Sequence, residues 1–192
     1  MILGITGGTG SGKTTLLNIL AEKGFTVLDC DKIYHDLLKT DKAMLAAIEN
    51  RFPGTVTDGV LDRKKLGAIV FADPAALQDL NTITHSAVKA EVLRLLQENP
   101  NAAIDAIGLF EGGLAPLCDV TIAVTAPEEL RVARLMARDG ITEQYARARI
   151  AAQRAPEEFK KLCHYTLDND GTEAAFREKC LAFFRSQGII NL

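Results

Sequence analysis

The 192-residue chain has no surplus of positive charge: 22 basic and 25 acidic side chains leave a formal net charge of −3. Nucleic-acid binders usually carry a basic excess, so that class is set aside, although a local cluster of arginines within a near-neutral whole still leaves room for an anionic small substrate. The four cysteines, Cys30, Cys118, Cys163 and Cys180, form no C-x-x-C pair, and their spacings suit neither zinc nor a disulfide framework. They read as reduced thiols of a cytoplasmic protein. No apolar run approaches the ~20 residues that span a bilayer, so no membrane role is expected. Met1-Ile2-Leu3-Gly4-Ile5-Thr6 lacks the basic lead of a signal peptide and runs at once into glycines, which reads as a first strand. Repeats, low-complexity segments and the guanine-reading N-K-x-D motif are also missing.

What is present is an ordinary globular balance, 47% hydrophobic and 24% charged, in a chain long enough to bury a core as one domain. Ile2 to Thr6 predicts a buried strand, Lys13 to Lys23 a helix stopped by Gly24, and Phe25 to Leu28 a second strand. Strand, loop, helix and strand in that order make a βαβ unit, hence a parallel sheet. Residues 32–100 then read as helices over 33–39, 43–52, 63–71 and 74–99, more than a crossover needs and so a helical lobe. Strands are expected at 102–107, 120–124 and 165–167. Further helices are expected from Pro127 to Arg138, from a Thr142 cap to about Arg154, and from Thr172 to Gln187, with Ala115-Pro116-Leu117 as a surface turn.

The strongest chemical signal is Gly7-Gly8-Thr9-Gly10-Ser11-Gly12-Lys13-Thr14, which fits G-x-x-x-x-G-K-[ST] between a predicted strand and helix. Glycines let successive N–H groups turn inward on phosphate oxygens, and the following helix offers its positive end. Lys13 is positioned to reach the β- and γ-phosphates of ATP and the Thr14 hydroxyl to bind Mg²⁺, with Gly8 to Gly12 and Thr15 completing the nucleotide site. The plain alternative is a glycine-rich connector. Asp29-Cys30-Asp31 closes the second strand, and in open parallel sheets ligands lie beyond the carboxyl ends of strands. One of these carboxylates could orient or deprotonate an attacking hydroxyl; the alternative is a helix cap, nearly as good a reading for Asp29 as a functional one. Arg131, Arg134 and Arg138 recur on one helical face and are followed by Arg147, Arg149 and Arg154. Guanidinium groups on a movable element suit the charge that builds during phosphoryl transfer, which favours Arg138, then Arg134 and Arg149. Arg131 and Arg147 read as a solvated face paired with Glu128, Glu129 and Glu143.

Taken together, these residues resemble the dephospho-coenzyme A kinase family nearly end to end. The likeness runs through the glycine loop to Thr15, Val27-Leu28-Asp29-Cys30-Asp31, Leu61-Asp62-Arg63, Val70-Phe71-Ala72-Asp73-Pro74 and Leu80-Asn81 with His85. It continues through Leu109-Phe110-Glu111, Arg138-Asp139-Gly140, Arg149-Ile150-Ala151-Ala152-Gln153 and Asn169-Asp170-Gly171. The resemblance implies an α/β fold with a three-layer parallel sheet of the P-loop NTPase type, divided into a core (1–31, 101–137 and 156–192), a helical substrate lobe (32–100) and a small lid (138–155). It implies transfer from ATP to the ribose 3′-hydroxyl of dephospho-coenzyme A, the last step of coenzyme A synthesis, with Mg²⁺ and no nucleic-acid or membrane partner, by a monomer or weak homo-oligomer. It points to Asp31 as base, Arg138 as lid arginine, and Asp29, Arg63, His85 and Glu111 as acceptor contacts. The chain departs from the family at Ile107-Gly108-Leu109, Ser86 and Cys163-His164, where acceptor contacts are plausible. Competing readings are another small-molecule kinase of the nucleoside or nucleotide type, and a nucleotide-binding regulator without catalysis. Leu61-Asp62-Arg63 with His85 speak against the first, and intact Lys13, Thr14, Asp31 and Arg138 against the second.

Overall fold

The computed structural model describes residues 1–190, so the last two positions of the core segment expected to reach 192 lie outside the described residues. In chain order the elements are β1 (Ile2–Thr6), α1 (Lys13–Glu22), β2 (Thr26–Asp29), α2 (Cys30–Thr40), α3 (Lys42–Arg51), β3 (Val56–Thr57), β4 (Val60–Leu61), α4 (Arg63–Val70), α5 (Pro74–Glu98), β5 (Ala102–Asp105), β6 (Val120–Thr125), α6 (Glu128–Asp139), α7 (Glu143–Ala151), α8 (Pro156–Leu162), β7 (Tyr165–Asp168) and α9 (Glu173–Ser186). Among the described residues no helix is long and apolar enough to cross a membrane.

The chain divides into two compact units, Met1–Val27 with Pro100–Leu109 and Ala115–Leu192, and Leu28–Asn99 with Phe110–Leu114. In the first, a five-stranded sheet runs in the order β2-β5-β1-β6-β7. The pairs β1–β5, β1–β6 and β6–β7 are parallel, with Ile5 opposite Asp105 on one side and Ile122 on the other. Strands covered on both faces need apolar side chains on both, and Leu3, Ile5, Ile122 and Val124 are all fully buried. Helix α1 buries Leu16, Leu17, Ile19 and Leu20, and α9 buries Phe176, Cys180 and Phe184 at four-residue spacing. These side chains join in one core cluster, where each buried Phe or Leu contributes about 1.5–3 kcal/mol relative to exposure.

The second unit is helical. All four of its helices start from an aspartate whose carboxylate accepts backbone N–H groups: Asp29 for α2, Asp41 for α3, Asp62 for α4 and Asp73 for α5, with Pro74 opening the last. Its core gathers Met44, Ile48, Phe52, Leu66, Val70 and Ala76.

The elements differ from expectation at three places. Helix α7 ends at Ala151 rather than near Arg154, and a separate helix that the sequence reading did not include, α8, follows, opened by Pro156 with Glu157 and Glu158 in its first turn. Between α3 and α4 stands an antiparallel hairpin, β3–β4, turning at Asp58 (φ 52°) and Gly59 (φ 75°). Strand β5 stops at Asp105 rather than 107, where the Ile107 carbonyl instead accepts the Thr6 hydroxyl at 3.1 Å.

Candidate active site

The glycine loop joins β1 to α1. Gly12 occupies the N-cap of α1 at φ 98°, and no side chain caps that helix end. A β-carbon at Gly12 would stand 2.1 Å from Asn169 Nδ2, so glycine is required there both by the left-handed backbone and by the close approach. Ser11, 1% exposed, carries the only buried side-chain polar atom among the described residues without a hydrogen-bond partner, its Oγ. An orphaned hydroxyl beside an uncapped helix N-terminus fits a tetrahedral anion such as a nucleotide phosphate. Lys13 Nζ donates to the Gly7 carbonyl at 2.9 Å, folded along the loop it follows.

The outside of the loop is held by residues far along the chain. Arg134 Nη1 donates to the carbonyls of Gly10 (3.2 Å) and Ser11 (3.4 Å), and its Nη2 to Asn169 Oδ1 (3.2 Å). Asn169 Nδ2 donates to the Ser11 carbonyl at 2.8 Å. Drawing the carbonyls outward turns the alternate N–H groups of the loop inward. Arg131 does not belong to a solvated face as expected: it is 4% exposed, and its Nε donates to the Thr9 carbonyl at 2.8 Å. Its helical turn faces the glycine loop, and the loop covers it. Arg147 does behave as expected, pairing with Glu128, Glu129 and Glu143 at 2.8–2.9 Å.

Arg138 and Arg149 meet at one carboxylate. Asp139 accepts Arg138 Nε at 2.6 Å and Nη2 at 2.9 Å, and Arg149 Nη1 at 2.7 Å. The hydrogen bond from Arg138 holds the Asp139 carboxyl down at about 2 and raises the Arg138 guanidinium in turn. At strand ends, Asp105 stands at the carboxyl edge of β5 opposite Ile5, and Asp168 at that of β7, accepting the Thr125 hydroxyl. Neither was singled out by sequence; an acidic residue closing a strand of the parallel sheet was the available signal. His164, one of the departures, stitches β7 to β6: its Nδ1 accepts the Thr121 N–H at 3.0 Å.

In the second unit, Asp29 serves as the cap of α2, accepting the Lys32 N–H at 2.9 Å. Asp31 lies exposed in the first turn of the same helix, with its backbone carbonyl 2.7 Å from His35 Nδ1. Arg63 opens α4 behind its Asp62 cap and close enough to Tyr34 to be felt by it, although burial still pushes the Tyr34 phenol up. His85 and Glu111 come together in a cavity of about 520 Å³, with Asn81, Ser86 and Lys89 also in its wall. Arg63 is not among its lining residues.

Helices on both faces of a parallel sheet, with a glycine cradle braced from behind at the start of α1, define a P-loop phosphotransferase, which takes a nucleotide as its phosphoryl donor. The family model for dephospho-CoA kinase matches residues 1–175. A dephospho-CoA kinase of Carboxydothermus hydrogenoformans is 38% identical over 191 residues, covering 96% of this chain and 93% of its own. A crystal structure of a Thermus thermophilus protein superposes with a TM-score of 0.82 at 34% identity, covering 97% of each chain. The dephospho-CoA kinase of Campylobacter jejuni does so at 0.70 and 28%, covering 98% of each. The chain belongs to the dephospho-CoA kinase family: it is a kinase of coenzyme A biosynthesis that phosphorylates a small molecule.

Proposed function

We propose that the chain transfers the γ-phosphoryl group of ATP to the ribose 3′-hydroxyl of dephospho-coenzyme A, with Lys13, Asp31 and Arg138 as its catalytic groups. The observation that carries the ATP half is the braced loop with its uncapped helix end and unpartnered Ser11 hydroxyl. Gly8 to Thr15 cradle the polyphosphate, and Lys13 exchanges the Gly7 carbonyl for the β- and γ-phosphates. The Thr14 hydroxyl would hold Mg²⁺, which would supply charge neutralisation on the phosphates.

Transfer proceeds through a loose transition state, so positioning and charge matter more than early deprotonation. Asp31 orients the acceptor hydroxyl and takes its proton. Arg138 and Arg149, gathered on Asp139 in the lid segment 138–155, offer guanidinium donors for the charge on the transferring group, and Arg134 supports the nucleotide loop. The helical lobe, residues 32–100, holds the acceptor, with His85 and Glu111 in the cavity wall and Asp29 and Arg63 at its helix starts. The same reading places the enzyme in the cytoplasm, as a monomer or weak homo-oligomer, with neither nucleic acid nor membrane as partner.

The test is a panel of hydroxyl acceptors incubated with Mg-ATP: dephospho-coenzyme A, adenosine, AMP and shikimate. ADP release and product mass are read. Dephospho-coenzyme A should gain one phosphoryl group far faster than the others, and Lys13→Ala should abolish the gain. Preferential phosphorylation of any other acceptor would overturn the reading.

A further inference from the structure

Arg131 is the one charged residue among the buried described residues. Its Nε donates to the Thr9 carbonyl at 2.8 Å and its Nη2 to Gln153 Oε1 at 3.1 Å. The same Gln153 oxygen accepts the Thr9 N–H at 2.8 Å. Three hydrogen bonds thus close a ring around one residue, fixing both the N–H and the carbonyl of Thr9, and so the two peptides that flank it, from outside the loop. What the ring lacks is a negative charge. No carboxylate of the described residues pairs with Arg131; Glu128, the acid whose field reaches it, is itself paired with Arg147 at 2.9 Å. The neutral acceptors that take the guanidinium's Nε and Nη2 donors do not balance its charge, and a buried charge without a counter-ion is costly. The anion that belongs in this loop is the nucleotide polyphosphate.

We propose that Arg131 is a positioning residue for nucleotide phosphates: with Gln153 it sets the backbone on both sides of Thr9, and its buried charge is balanced by the polyphosphate of a nucleoside di- or triphosphate in the loop. This rests on the loop being the ATP site. Arg131 acts through the loop backbone and through its field, without touching the phosphates. Gln153, at the end of the segment read as the lid, ties that segment to the loop by a single side chain. Arg131 and Gln153 share Thr9, so they act as one unit.

The test uses the full-length chain and measures dissociation constants for ATP, ADP and AMP by calorimetry, with the nucleotide-free melting temperature. Arg131→Met should weaken ATP and ADP binding about tenfold or more. It should leave AMP, which brings no β-phosphate, within about twofold, and hold the nucleotide-free melting temperature within about 3 °C, because the lost hydrogen bonds are offset by removing an unbalanced buried charge. Arg131→Lys, which keeps the charge, should recover most of the ATP affinity. Gln153→Ala on top of Arg131→Met should add little. A purely structural Arg131 would show the reverse: a melting temperature lowered by about 5 °C or more, the three nucleotides affected alike, and no rescue by lysine. Either that pattern or unchanged ATP affinity in Arg131→Met overturns the proposal. Lys13→Ala, run beside it, keeps the two readings apart: if Lys13→Ala loses ATP and Arg131→Met does not, only the Arg131 role falls, whereas ATP affinity retained in Lys13→Ala removes the loop itself as the site.

Discussion

At the scale of single residues, the two aspartates at the junction of β2 and α2 divide into different kinds of work. Asp29 holds the first turn of α2 through the Lys32 N–H, whereas the Asp31 carboxylate, two positions on, is exposed and makes no hydrogen bond or ion pair among the described residues. Asp29→Ala should therefore lower stability by about 1 kcal/mol, the usual cost of a lost cap, while kcat stays within a few-fold of the parent. Asp31→Asn should do the opposite, keeping the melting curve and reducing kcat on the order of 10²-fold with ATP affinity intact. Denaturant titration beside steady-state kinetics for both variants checks the division. An Asp31→Asn enzyme at full kcat would move the search for a base to Glu111 or Asp105. Sequence alone left cap and functional carboxylate open for both positions, because each is an acid near a helix start; the hydrogen bond from the Lys32 N–H shows that Asp29 acts as a cap, whatever else it touches.

At the scale of elements, most of the fold was legible because its signals are local. The aspartate and proline at the start of α5, the threonine before α9 and the unbroken apolar run of β1 each announce an element within a few residues. The misses have different causes. Helix α8 is only seven residues long, and although its Pro156-Glu157-Glu158 start repeats the Pro127-Glu128-Glu129 signal that marks α6, so short a helix shows no apolar periodicity. The β3–β4 hairpin carries a plain Asp-Gly turn signal, but its two-residue strands are too short to show alternation. Arg131 was illegible for a deeper reason: the backbone that buries it lies 122 positions away, and helix periodicity says which residues share a face but not what covers it. The hairpin offers a check of its own. Gly59 sits at φ 75° with open space where a β-carbon would point, so Gly59→Ala should cost about 1–2 kcal/mol purely as left-handed backbone strain, whereas Asp58→Gly should be near neutral or mildly stabilising in the fold. Thermal melts of the two variants should therefore shift unequally, and equal losses would mean the turn is held by something other than its backbone.

At the scale of the molecule, the phosphate loop and its braces lie in one compact unit and the cavity with His85 and Glu111 in the other. If donor and acceptor divide in the same way, hydrogen exchange should show it. ADP should slow exchange at 7–20 and around Arg131 and Asn169, and at about 100 times its dissociation constant should add about 2.7 kcal/mol to the stability of that unit. Dephospho-coenzyme A should slow exchange at 78–89 and 110–114 instead. Acceptor protection confined to the first unit would place the acceptor outside the helical lobe.

The order in which the chain is made gives the loop's outer bracing a further meaning. Strand β1 is made before the other strands of its sheet and becomes the centre of the finished sheet, yet its neighbours β5 and β6 begin at residues 102 and 120. The loop behind it waits longer: Ser11 meets its Asn169 brace only across 158 positions. At ordinary rates of synthesis that is on the order of ten seconds during which the glycines are exposed but unshaped. A nascent chain thus acquires its grip on nucleotide only once Asn169 has been made, and a ribosome that stalls before Asn169 releases a product with the whole glycine motif and an unbraced phosphate site.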